Sequence, residues 1–176
     1  MLKISIKSKQ RESKMKNQLA KVVDKLNKRP AWLRYRLLSF VLGKTVKFVG
    51  TAGVKCIDLS LKRSIFLIKN KSKVRNHIGT LHAAASMLVA ETATGMALGM
   101  HLPDNKIPVL KHVSIDYVKR TKGALTATAS LTDEQITLLH SENKGSFIVK
   151  CEVIDEANVE PIIAKLDWAW TLKRRP

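Results

Sequence analysis

The spacing of hydrophobic residues predicts helices at the start of the chain and strands over most of the remainder. From Glu12 to Leu26 the apolar residues recur at steps of four, three and four, which is typical of a helix with one apolar face. Pro30 should end this helix, and the apolar segment 31–42 predicts a second one that stops at Gly43. We expect both helices to pack on the domain that follows them.

Beyond these helices the pattern predicts short strands. Residues 54–61 and 64–68 form two extended runs, and the polar segment 69–75 is a loop. Further along, apolar and polar residues alternate in four segments, which indicates an antiparallel sheet with one covered face. These segments are 113–117, 124–130, 147–153 and 164–170, with a short helical turn over 133–140.

One long helix is predicted among these strands, from Thr80 to about Met100. It is apolar on nearly every side, which is typical of a helix that is buried all round. A long helix with about six antiparallel strands is an α+β layout. A sheet curled around this helix, with a second subunit covering the rest of it, accounts for its composition.

Glu91 is the one formally charged residue between Arg75 and Asp104, and it lies in the middle of the apolar helix. An unpaired buried carboxylate has a raised pKa, and such groups are enriched at functional sites. The alternative is a structural glutamate that pairs with a lysine or arginine from elsewhere. Both interpretations stay open on this observation alone.

The residues before the helix resemble a known family signature. The run over residues 76–86 reads NHIGTLHAAAS, and Glu91 follows nine residues after His82. Small residues at a helix start leave room for a ligand near unpaired N–H groups. The run resembles that of hotdog-fold acyl-CoA thioesterases of the phenylacetate-degradation and hydroxybenzoyl-CoA thioesterase type. Ala83-Ala84 stands where that family has Gly-Gly, and Glu91 where aspartate is commoner.

The resemblance implies a hotdog fold, an antiparallel sheet wrapped around one long central helix, over residues 43–176. Residues 1–42 would then be a basic N-terminal helical extension. It also implies an enzyme, an acyl-CoA thioesterase that releases free acid and CoA. The expected location is the cytoplasm, because two cysteines make no disulfide framework.

The same resemblance implies roles for four residues. Glu91 is the expected general base or nucleophile, and the backbone N–H of Ala83 the expected oxyanion donor. Asn76 would hold the thioester carbonyl or the attacking water, and His82 would shape the turn. No metal is expected, since no Cys/His ligand spacing is present, and CoA enters as part of the substrate rather than as a cofactor.

Helix geometry adds a requirement for oligomerisation. Glu91 lies eight residues beyond Ala83, which places the two roughly 12 Å apart along the helix axis. A carboxylate cannot act on a carbonyl held at that distance. The two groups that serve one site are therefore expected to come from different subunits of a homodimer or a homotetramer.

The charge of the chain is +18, from 32 Lys+Arg against 14 Asp+Glu, and it favours anionic partners. Up to Arg36, twelve basic residues face only Glu12 and Asp24. The basic N-terminus can contact a membrane surface, and basic residues around the substrate site would also bind the phosphates of CoA. Nucleic acid is disfavoured as a partner, because no basic run is interleaved with aromatic residues.

Two alternative functions remain. One is a hotdog hydratase or dehydratase of acyl thioesters, although its usual Pro-Gly turn before the helix is missing. The other is a non-enzymatic basic module that binds nucleic acid or anionic lipid. No stretch of the sequence is a credible membrane span or secretory signal: the apolar candidate near the start is short and contains Arg34 and Arg36.

Overall fold

A computed structural model describes residues 17–174. In this part of the chain the helices are α1 (Gln18–Asn27), α2 (Ala31–Thr45), α3 (Lys47–Ala52), α4 (Ala83–His101) and α5 (Asp133–Ser141). The strands are β1 (Lys55–Leu59), β2 (Ser64–Ile68), β3 (Lys106–Tyr117), β4 (Leu125–Ala129), β5 (Gly145–Asp155) and β6 (Ile162–Leu172). A short 3-10 helix spans Ser72–Val74.

The strands form one antiparallel sheet in the order β1-β2-β4-β5-β6-β3, and α4 packs across one face of it. Residues alternate between buried and half-exposed positions along β2 and β4, as a sheet with one covered face requires. Gly95 lets β6 approach the helix, because a Cβ there would lie 2.9 Å from the ring of Trp168. The predicted antiparallel sheet around a long central helix is confirmed.

The prediction that the N-terminal helices pack on the rest of the chain is also confirmed. Ala20 and Val23 of α1 are buried in the common core. Asn17 caps α1 by accepting a hydrogen bond from the N–H of Ala20, and its amide donates to the carbonyls of Gly99 and Leu102, each at 2.6 Å. The part of the predicted helix before residue 17 lies outside the described residues.

The predicted end of α2 at Gly43 is wrong. The helix continues to Thr45, and α3, which was not predicted, begins two residues later. Gly43 instead lies against Gly50. A Cβ added to Gly50 would come within 2.4 Å of the Gly43 carbonyl oxygen. Gly43 and Gly50 together therefore allow the helices α2 and α3 to approach closely, and Gly43 does not provide a left-handed helix end.

The central helix α4 begins at Ala83, three residues after the predicted start. Among the described residues it is the one helix long and apolar enough to cross a membrane, but 61% of that segment is buried inside the protein. Its composition is that of a core helix, since the sheet covers most of it. The helix is not covered all round, because Met87, Glu91 and Gly95 form a half-exposed stripe at steps of four residues.

Candidate functional site

The turn before α4 is built around the side chain of Asn76. Its Oδ1 accepts hydrogen bonds from the N–H groups of Ile78 and Thr80, both at 3.1 Å, and its Nδ2 donates to Thr80 Oγ1 at 2.8 Å. Gly79 has a φ of 79°, a left-handed conformation that glycine adopts without steric cost. The Asn76 amide thus fixes the turn and delays the start of the helix.

The helix start leaves one backbone donor free. His82 caps α4, since its Nδ1 accepts a hydrogen bond of 3.0 Å from the N–H of Ala84. The N–H groups of Ala85 and Ser86 donate to the His82 carbonyl. Within the described residues the N–H of Ala83 has no acceptor, and Ala83 is exposed. The position proposed for an oxyanion donor therefore holds an unsatisfied N–H group at the positive end of a long helix.

Asn76 and Ala83 line the same surface cleft, of about 370 Å³, and residues 117–121, at the end of β3 and just after it, line it with them. The hydroxyl of Tyr117 donates to the carbonyl of Ala83 at 2.9 Å and holds the helix start against the strand end. Lys119 and Arg120 are the cationic residues of this cleft. Tyr117, Lys119 and Arg120 were not predicted as site residues, although two basic residues soon after a strand were a visible signal.

Glu91 lies in a different place, on the wall of a cavity of about 290 Å³ on the exposed side of α4. The carboxylate is half-buried and has no hydrogen-bond or ion-pair partner among the described residues. Burial raises the pKa of the Glu91 carboxyl above its ordinary value. The residues around it are almost all apolar: Leu42, Val46, Phe48, Val49, Leu88, Thr92, Gly95, Met96, Pro108 and Trp168.

The structure therefore separates the predicted site residues into two groups. Asn76 and Ala83 lie in one cleft, and His82 caps α4 beside Ala83. Glu91 lines a separate cavity farther along α4. Within residues 17–174, no histidine lines the cavity around Glu91. Over residues 17–174, no group of three or more His, Cys, Asp or Glu is placed to hold a metal ion.

An antiparallel sheet around one long helix that carries a lone carboxylate defines a protein of the hotdog class. Residues 34–171 match the family described as "Domain of unknown function (DUF4442)", and the chain belongs to that family. The match starts inside α2, so it includes the residues of α2 and α3 that line the Glu91 cavity. No similar sequence was found among curated proteins.

Solved structures share the fold at low sequence identity. A probable thioesterase from Pseudomonas aeruginosa is 18% identical, with 78% of this chain and 95% of that chain covered and a TM-score of 0.70. A thioesterase from Haemophilus influenzae is 16% identical, with 77% and 88% covered and a TM-score of 0.61.

A thioesterase from Staphylococcus aureus is also 16% identical, with 73% of this chain and 99% of that chain covered and a TM-score of 0.56. Its structure was determined with one glutamine replaced by alanine, and again with a glutamate fifteen positions later replaced by alanine. These likenesses establish the hotdog fold of this chain.

Proposed function

We propose that this protein is a thioester hydrolase that cleaves acyl-CoA to free acid and CoA. The observation that carries the proposal is Glu91, a half-buried carboxylate without a partner among the described residues in an otherwise apolar cavity. An unpaired carboxylate in such a place costs stability, and its raised pKa makes it a stronger base than an ordinary glutamate. The solved structures named as thioesterases share this fold and support the assignment.

In the proposed reaction, Glu91 either removes a proton from water as it attacks the thioester carbonyl, or attacks that carbon itself. The negative charge that develops on the carbonyl oxygen is stabilised by the free N–H of Ala83. The C–S bond then breaks, and on the base route the CoA sulfur leaves as a thiol with the proton that Glu91 took from water. On the nucleophile route the sulfur takes a proton from solvent, and water then hydrolyses the acyl–Glu91 anhydride to release the free acid and restore the carboxylate. The reaction needs no metal or cofactor.

Asn76 and His82 prepare the oxyanion donor. His82 occupies the N–H of Ala84, so the free donor is left at Ala83. Asn76 has its Oδ1 and Nδ2 engaged in the turn, so its support for the thioester carbonyl comes through the shape of that turn. In this proposal Asn76 and His82 correspond to the motif residues of thioesterases of the phenylacetate-degradation and hydroxybenzoyl-CoA type.

The spacing of Asn76 and Glu91 supports treating them as a pair. They are fifteen residues apart. The glutamine and the glutamate replaced in the Staphylococcus aureus thioesterase have the same separation. Both pairs consist of a side-chain amide that precedes a carboxylate.

A homodimer with shared sites is part of the proposal. The Glu91 cavity and the Ala83 cleft are separate surfaces of one chain, so a second chain is required to bring a carboxylate to a donor. The half-exposed stripe on α4 is a surface for that second chain to cover. Among the described strands the edge strand β3 pairs with β6 alone, and it exposes Ile107 and Val109, which suits pairing with another copy.

Lys119 and Arg120 are the proposed contacts for the phosphates of CoA. They lie in the same cleft as the Ala83 donor, where the CoA end of a thioester would emerge. Cations at this place would attract the polyanionic leaving group without entering the apolar cavity. The unpaired cysteines Cys56 and Cys151 fit the reducing cytoplasm that contains CoA thioesters.

The hydratase alternative lacks support at the carboxylate. Hydratases of this fold pair a histidine with a carboxylate, and no described histidine lines the Glu91 cavity. The binding-module alternative does not account for an unpartnered carboxylate within an apolar cavity.

The test is a hydrolysis screen of the purified protein over short, medium, long-chain and aryl CoA thioesters, with the released thiol measured. Glu91→Gln should lower turnover of the best substrate about a thousandfold, the scale expected when a positioned base is lost. Glu152→Gln, at an exposed position of β5, is the matched control and should keep native turnover. Absence of hydrolysis of every thioester, or near-native turnover by Glu91→Gln, would overturn the proposal.

A further inference from the structure

A second cavity, of about 210 Å³, lies between the N-terminal helices and the sheet. α1 contributes one wall and α2 another, and the remaining wall comes from β1, β2 and α4. Apart from the hydroxyl of Thr45 and the thiol of Cys56, its lining consists of hydrocarbon side chains and Met96. Burial raises the pKa of the Cys56 thiol to about 12, so this thiol is uncharged at neutral pH.

This cavity adjoins the one that holds Glu91. Leu42, Val46 and Met96 line both, so the two cavities share a wall in which Leu42 and Met96 are half-buried and Val46 is exposed. Met96 is unbranched, and methionine readily changes rotamer to fill or open a gap. Met96 lies five residues beyond Glu91 on α4, about 7.5 Å along the axis. A ligand that starts at Glu91 must therefore extend well past a short acyl group to reach the second cavity.

The chemistry of the second cavity selects its occupant. The phosphates and ribose of CoA would be stripped of water in such a cavity, at a large cost in free energy. A saturated hydrocarbon chain has no polar group to desolvate, and each methylene that it buries there is favourable. Of the two groups attached to the thioester carbonyl beside Glu91, the acyl chain is therefore the one that this cavity favours.

We infer that the two cavities form one acyl-binding pocket, in which the N-terminal helices α1 and α2 enclose the distal end of an aliphatic chain of medium or greater length. The inference rests on the proposed function for the position of the thioester carbonyl. It gives α1 and α2 a role in substrate selection. It also favours long aliphatic over aryl thioesters, because an extended chain reaches the distal cavity and a single ring beside the carbonyl does not.

The first experiment measures kcat/KM for decanoyl-CoA and butanoyl-CoA. The native protein should favour decanoyl-CoA, with kcat/KM rising roughly fourfold per methylene until the pocket is full. Val41→Trp and Leu26→Trp place bulk in the second cavity from α2 and α1 respectively. Each should lower the decanoyl-to-butanoyl ratio at least tenfold. Phe40→Trp, on the exposed side of α2 and outside both cavities, is the matched control and should keep the native ratio.

A second experiment separates this inference from the proposed function. The thioethers S-decyl-CoA and S-butyl-CoA cannot be hydrolysed, and their binding is measured by calorimetry on the native protein and on the variants that remain folded. Tighter binding of S-decyl-CoA, without hydrolysis of any thioester, would support the pocket while rejecting the activity. Equal affinity for both thioethers would overturn the pocket and indicate that protein, from this chain or a second copy, fills the cavity. An unchanged decanoyl-to-butanoyl ratio in folded Val41→Trp and Leu26→Trp would overturn it as well.

Discussion

The two regions that supply the proposed catalytic groups, the turn around Asn76 and the cavity around Glu91, differ in how their polar groups are partnered. Around Asn76 nearly every polar group has a partner, and the turn is fixed by hydrogen bonds from one side chain. Around Glu91 the carboxylate has no described partner, and its neighbours are apolar. The turn is a finished structure with one donor left over, at Ala83, whereas the Glu91 cavity is incomplete without a ligand or a second chain.

This difference indicates how each region should respond to mutation. A change in the turn removes stabilising hydrogen bonds, so stability and rate should fall together. A change at Glu91 removes an unpaired charge from an apolar place, so the rate should fall without a loss of stability. The contrast allows a functional residue to be distinguished from a structural one.

The largest expected effect is the recovery of activity in a mixed dimer. Glu91→Gln and Ala83→Pro homodimers should both be inactive, because each lacks one half of every site. A purified heterodimer of the two should regain about half of the native activity, since one of its two sites has both the carboxylate and the N–H group. Proline is tolerated at the first residue of a helix, and the N–H that it removes from Ala83 has no described acceptor.

The matched control places both changes in one subunit and pairs that subunit with a native one. Such a heterodimer contains the same two substitutions, but each of its sites lacks one group, so it should stay inactive. Activity in this control, or none in the first heterodimer when both are folded, would show that the site lies within a single chain.

A smaller effect is expected in the turn. Asn76→Ala removes the acceptor for two N–H groups and should lower both stability, by about 1–2 kcal/mol, and turnover, by about a hundredfold through misplacement of the donor. Denaturant unfolding and steady-state kinetics measure the two quantities. Asn76→Asp retains the Oδ1 acceptor and should recover most of the stability. A loss of stability with unchanged turnover would reduce Asn76 to a structural residue.

The smallest effect is a pH dependence with opposite signs for rate and stability. Because burial raises the pKa of Glu91, kcat/KM should fall about tenfold per pH unit below a midpoint that lies above the ordinary glutamate pKa. The protonated carboxyl is the form that the fold favours. Its contribution to stability is therefore fully present below the ordinary pKa, and is lost as pH rises through the raised one.

Glu91→Gln provides the control for this pH dependence, since it cannot ionise. The native protein should lose stability relative to Glu91→Gln as pH rises through that range, as measured by denaturant unfolding. A stability difference that is constant with pH would show that the Glu91 pKa is not raised.

The fold was largely predictable from the sequence because its strands alternate between two environments. The strand β4 was predicted within residues 124–130 and occupies Leu125–Ala129, since a strand with one buried face shows that face in every second residue. Gly43 was misread because a glycine at a helix crossing has the same sequence signal as a glycine at a helix end. The start of α4 was placed too early because the hydrogen bonds of the Asn76 side chain oppose helix formation at Thr80.

The candidate site was predictable in part for a similar reason. An isolated charge in an apolar helix can be seen in the amino-acid sequence alone, so Glu91 could be identified without a structure. The surroundings of Glu91 could not be predicted, because they depend on tertiary contacts between segments that are far apart in the sequence. α2 brings Leu42 to its cavity from the segment interpreted as an extension, and Phe48 comes from α3, a helix that was not predicted. Lys119 and Arg120 reach the Ala83 cleft only because β3 ends beside the start of α4.

The membrane-like composition of α4 has a consequence for biosynthesis. This helix leaves the ribosome after β1 and β2 but before the other four strands that cover it. During that interval the chain displays a segment that a bilayer could accept by length and hydropathy. A charged side chain at the middle of such a segment opposes insertion by about 2.5–3.5 kcal/mol on translocon scales. The carboxylate of Glu91 would thus help the nascent chain to avoid the membrane before any substrate is bound.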